Sequence, residues 1–115
     1  MQSEIEKLLL DIQKAIEEIE NFTAGKDFSD FQKDRGLQLI IERELEIIGE
    51  ALNRLLRIVP ELEKKLPETH RIIGLRNIIT HGYDILEYEI LWDIVENKVS
   101  QLKEKLKQEF EQGNQ

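Results

Sequence analysis

Apolar residues recur at helical spacing through almost the whole chain, and no stretch alternates apolar and polar residues as a strand does. Ile5, Leu8, Leu9, Ile12, Ile16 and Ile19 fall on one face of a helix predicted over about residues 4–22, with Ser3 and Glu6 spaced as a capping box. Ala24 to Asp27 reads as a turn. Ser29 or Asp30 is placed to cap a long second helix carrying Phe31, Leu37, Ile40, Ile41, Ile47, Ile48, Ala51, Leu52 and Leu55, interrupted by Gly36 and Gly49. Pro60 ends it, and residues 60–66 read as a short helical turn before Pro67. Thr69 then suits the cap of a third helix through Ile72, Ile73, Leu75, Ile78 and Ile79, which Gly82 terminates. After a turn at 83–86, a last helix runs from about Glu87 to Glu111 with Ile90, Leu91, Ile94, Val95, Leu102 and Leu106 on its apolar side. The expected fold is a single all-α domain over residues 1–115, an antiparallel bundle of four to five helices.

Composition narrows the chemistry. The 115 residues include no cysteine, which removes disulfides, thiolate metal sites and a cysteine nucleophile. No apolar run approaches the roughly 20 residues that span a bilayer. Residues Met1 to Lys14 are acidic and amphipathic, unlike a secretory signal, so a cytoplasmic location without membrane contact is expected. The net charge of −8 opposes nonspecific contact with nucleic acid. One stretch runs against it: between Lys64 and His81, Lys64, Lys65, Arg71 and Arg76 face Glu68 alone, a local balance of +3.

Overlapping the end of that basic stretch is the chain's most reactive constellation, Gly74-Leu75-Arg76-Asn77-Ile78-Ile79-Thr80-His81-Gly82-Tyr83. An imidazole near neutrality both accepts and donates protons. A guanidinium presents a permanently charged fork to phosphate oxygens. Arg76 and His81 are therefore a minimal kit for cleaving a phosphodiester without a metal, with Asn77 able to hold the phosphate or orient the imidazole. In a regular helix, five residues set two side chains roughly 140° apart, so Arg76 and His81 would not share a face. Two arrangements remove the conflict, and the reading combines them: the helix ends near Thr80, and two subunits pool these residues about a two-fold axis.

Plainer readings exist for the same residues. An Arg and a His near a helix end serve as capping and hydrogen-bonding groups, Tyr83 packs with a wet hydroxyl, and His70 lies on the surface. Tyr88 and Trp92 read as core or interface residues. Glu42, Glu44, Glu46 and Glu50 have no His at ligand spacing and read as a solvated face. No phosphate loop, dinucleotide fingerprint or serine elbow is present, and no cofactor is expected.

From about Leu37 to Leu102 the sequence resembles the HepT-like branch of the HEPN superfamily, the toxin partner in HEPN–MNT toxin–antitoxin pairs. Three segments carry the resemblance: Ile47-Ile48-Gly49-Glu50-Ala51, then Gly74 to Tyr83, then Leu91-Trp92-Asp93-Ile94-Val95. The resemblance implies a helical homodimer with its two motifs facing each other, and a metal-independent endoribonuclease acting on cellular RNA. It makes Arg76 and His81 the catalytic candidates, with Asn77 beside them. It also implies a cognate minimal nucleotidyltransferase antitoxin that silences the toxin by transferring AMP to Tyr83. Where many relatives carry a Pro-Trp-Arg-like stretch, this chain has Pro67-Glu68-Thr69-His70-Arg71, without the Trp, which leaves Arg71 as a further candidate for substrate binding. Two other readings stay open: a noncatalytic helical dimer that binds a nucleotide or serves the nucleotidyltransferase as a subunit, and a purely structural dimer.

Overall fold

A computed structural model of the chain describes residues 2–66, 69–70, 72–74 and 88–111. It is all-α, with no strand among the described residues. Helix α1 spans Gln2–Thr23, α2 Phe28–Lys33, α3 Arg35–Ile58 and α4 Leu62–Lys65. Residues 69–70 and 72–74 are helical. Helix α5 spans Tyr88–Asp93, a wide π-helical turn covers Ile94–Lys98, and α6 spans Val99–Glu111.

The first helix follows its apolar period closely. Leu8, Ile12, Ala15, Ile16 and Ile19 are buried in one core with Leu37, Ile41, Leu45, Ile48, Leu52 and Leu55 of α3. The backbone is already helical at Gln2, so Ser3 is a first-turn residue and not the cap its spacing with Glu6 suggests. Gly25, at φ +74°, supplies the left-handed conformation that turns the chain after α1. Leu8 and Asp11 lie against Arg54 and Glu50 of α3, while Glu18 lies against Glu44, so the two long helices run antiparallel. Helix α6 is antiparallel to α1 in its turn. Leu106 and Phe110 meet Leu9, Ile12 and Ile16, and Lys103 reaches Glu20 at 3.1 Å.

The expected second helix is two helices. Asp27 accepts from the Asp30 backbone N–H while Asp30 accepts from that of Asp27, a reciprocal capping box that starts α2 before Ser29. Asp34 then adopts an extended backbone and its side chain accepts from the Leu37 N–H at 3.0 Å, so helix α3 starts afresh at Arg35. The Asp34 carboxylate, by bonding a nearby N–H, thus breaks a run that periodicity alone would continue. Gln38, itself buried, donates to the carbonyls of Phe31 and Gln32 at 3.0 Å each and so satisfies the end of α2.

The short turn expected over residues 60–66 is present as α4, whose Leu62 and Leu66 are buried. Thr69 is not the cap expected of it. Its own backbone is already helical, it is fully buried, and its hydroxyl donates to the Leu66 carbonyl at 2.7 Å. The C-terminal helical run is one residue wide of regular at Ile94–Lys98. The wide turn lets Leu91, Trp92, Ile94 and Val95 before it, and Val99, Leu102 and Leu106 after it, all reach the core. No described helix is long and apolar enough to cross a membrane.

Candidate active site

Arg71, Arg76, Asn77, His81 and Tyr83 all lie outside the described residues, as do Pro67 and Glu68. The structure does give the frame on either side of residues 75–87. On the entry side Thr69 and Ile72 are fully buried, and Gly74 has open space where a Cβ would stand. On the exit side the Tyr88 ring meets Phe31 edge-on, with centroids 5.7 Å apart, and Trp92 stacks on Phe31 at 5.1 Å. Phe31 has no solvent exposure. Both flanks of the candidate motif are thus fastened to the same core. Trp92, expected in the core or at an interface, is a core residue.

Beside this exit the Arg35 guanidinium lies 3.4 Å from the Tyr88 hydroxyl, 3.2 Å from Gln38 Oε1 and 3.4 Å from Glu42 Oε2. Burial pushes the Glu42 carboxyl up, and the neighbouring Arg35 charge pulls it back. Acidic side chains already meet two residues of the basic stretch. Lys65 pairs with Glu109 of α6 at 3.2 Å, and His70 meets Glu63 at 2.9 Å on the surface. His70 is exposed, as expected.

The acidic cluster on α3 departs from the solvated face expected of it. Glu50 is exposed and Glu42 and Glu46 are half-buried, but Glu44 is only 6% exposed. Burial, and then the facing Glu18 carboxyl of α1, raises its pKa to about 7, against the opposing pull of Arg43. The signal was in the spacing: Leu37, Ile41, Glu44, Ile48, Ala51 and Leu55 alternate by four and three, so Glu44 occupies the inner stripe. No group of three or more His, Asp or Glu at metal-binding distance occurs among the described residues. Arg43, Glu46, Glu50 and Arg54 line a groove of about 400 Å³ with Leu8 and Asp11 of α1.

Two of the three segments that carry the family resemblance are packing elements. Ile48, Gly49 and Ala51 are buried on α3, and Leu91, Trp92, Ile94 and Val95 are buried near Phe31 or the start of α6. A match to the family described as "Ribonuclease HepT-like" extends over residues 12–109, across both of these segments and the one between them. The chain belongs to the HepT-like family. Three relatives align with it over most of both chains. A Methanocaldococcus jannaschii protein described as "Putative RNase MJ0127" is 37% identical over 99 residues, covering 84% of this chain and 78% of its own. The "Probable ribonuclease HepT" of Thermococcus cleftensis is 35% identical over 97 residues, covering 84% of this chain and 87% of its own. A second Methanocaldococcus jannaschii protein, "Putative RNase MJ1380", is 30% identical over 105 residues, 90% of this chain and 94% of its own. No solved structure matches. The all-α bundle seen here is thus the frame of a HepT-like chain, and its Arg76-to-Tyr83 stretch falls within the matched region.

Proposed function

We propose that this HepT-like chain is a metal-independent endoribonuclease, the toxin of a HEPN–MNT pair, with Arg76 and His81 as its catalytic residues. The observation that carries the reading is the Arg76-Asn77 and His81-Gly82-Tyr83 constellation lying inside a family match that runs from residue 12 to 109. In this reading the imidazole removes the proton of a ribose 2′-hydroxyl, whose oxygen attacks the adjacent phosphorus. The bond to the 5′-oxygen breaks, and that oxygen takes a proton from a second imidazole. Arg76 meets the charge that grows on the phosphoryl oxygens. Asn77 and Arg71 hold the phosphate. A homodimer with facing motifs supplies the acid and the base from separate copies of His81. Tyr83 is the acceptor of AMP from a minimal nucleotidyltransferase antitoxin, and the added phosphate competes with RNA for Arg76. The site works in the cytoplasm.

Purified chain is expected to cleave RNA in the presence of EDTA, and Arg76→Ala or His81→Ala to slow cleavage by about 100-fold or more. Equal, negligible cleavage by wild type and both variants would remove the enzyme reading. Intact-mass measurement after incubation with the nucleotidyltransferase and ATP is expected to show one added AMP, absent in Tyr83→Phe.

A second reading has one observation in its favour. The chain carries a net charge of −8, and acidic partners hold Lys65 and His70 of the basic stretch. A noncatalytic dimer that binds a nucleotide or serves the nucleotidyltransferase as a subunit would need no path for RNA. It predicts AMP addition at Tyr83 with no growth arrest when the unmodified chain is expressed.

A further inference from the structure

Glu44 stands where an ionised group is poorly accommodated. It lies on the inner stripe of α3 between Ile41 and Ile48, both without solvent exposure. Its Oε2 is buried and has no hydrogen-bond partner among the described residues. The group that faces it from α1 is a second carboxyl, Glu18. Arg43, the preceding residue on its own helix, acts in the opposite sense. Two residues beyond Glu18 on α1, Glu20 is held by Lys103 of α6 at 3.1 Å.

We propose that Glu44 and Glu18 form a proton-operated latch on the α1–α3 seam, which holds α1 against α3 while Glu44 carries a proton and loosens it when that proton leaves. With the proton in place, the Glu44 hydroxyl donates to the Glu18 carboxylate across the seam. Without it, two like charges face each other and one of them is cut off from water. The group's value of about 7 places the change near neutrality. Its sign follows from linkage: the folded chain holds the proton more tightly than the unfolded one. Stability therefore falls as pH rises from the ordinary carboxylate range to about 7 and is level above that. The latch stands whether or not the chain cuts RNA.

Urea unfolding of the full chain at pH 5, 6, 7 and 8, compared with Glu44→Gln, tests it. Glutamine keeps the shape and a donor but does not titrate. The ratio of wild-type to variant unfolding constants is expected to rise roughly tenfold per pH unit between 5 and 7 and then to stay level. Parallel profiles would overturn the latch. Glu18→Gln is expected to move the wild-type step to lower pH, and an unmoved step would overturn the pairing; this variant decides the matter alone if Glu44→Gln does not fold. Amide exchange, corrected for its intrinsic pH dependence, is expected to quicken more in α1 than in α6 between pH 6 and 8. Equal quickening in both helices would also count against it.

Discussion

The α1–α3 seam and the corner around Phe31 bury apolar surface in opposite ways. Along the seam, two long antiparallel helices share the load among many aliphatic residues, from Leu8 to Ile19 on one side and from Leu37 to Leu55 on the other. At the corner, the six-residue helix α2 is joined to α5 by a single fully buried ring, with Tyr88 edge-on at 5.7 Å and Trp92 stacked at 5.1 Å. A distributed interface tolerates loss at one point, since its neighbours keep the helices in place. A concentrated one does not, and here it stands next to residue 88, where the chain emerges from the proposed catalytic segment.

Phe31→Ala should have the largest effect on stability, about 3–5 kcal/mol, because truncation leaves both Tyr88 and Trp92 without their shared partner. Urea denaturation measures it, and RNA cleavage by the same variant should fall if the corner positions the motif. Ile48→Val on the seam should cost only about 0.5–1.5 kcal/mol and leave cleavage near wild type. The contrast breaks if the two substitutions cost the same, or if the seam variant is the one that loses activity. Between them lies Asp34→Ala, expected to cost about 1 kcal/mol by freeing the Leu37 N–H at the start of α3.

Much of the seam was legible in the sequence because a buried helix face writes its period directly into the order of apolar residues. The corner was less so. Phe31 continues the α3 period well enough to be assigned to that helix, and what separates them is Asp34, whose side chain satisfies a backbone N–H that a continuous helix would have bonded internally. Glu44 departs from its expected place for a related reason. Residue type placed it in water, whereas its position between Ile41 and Ile48 placed it in the core, and position prevailed. For the site, residue chemistry named Arg76 and His81 and the family match covers them. Their mutual distance depends on where a helix ends and on how two subunits meet, neither of which periodicity encodes.

The smallest effect sharpens the comparison from the polar side of the corner. Arg35 is 63% exposed at its side chain, and its contact with Glu42 at 3.4 Å is a partly exposed ion pair, so Arg35→Ala should cost less than about 1 kcal/mol at pH 7. Its pH dependence is more telling than its size. Burial raises the Glu42 carboxyl and the Arg35 charge is the main influence opposing that rise, so removing Arg35 raises Glu42 further. A carboxyl held above its unfolded value contributes stability at low pH that is lost as pH climbs through the folded value. The variant should therefore match wild type near pH 4 and fall progressively behind it toward pH 7, while Arg35→Lys, which keeps the charge, recovers most of the difference. A deficit constant across that range would mean that Arg35 acts on the corner through its contact with the Tyr88 hydroxyl, and not through its charge.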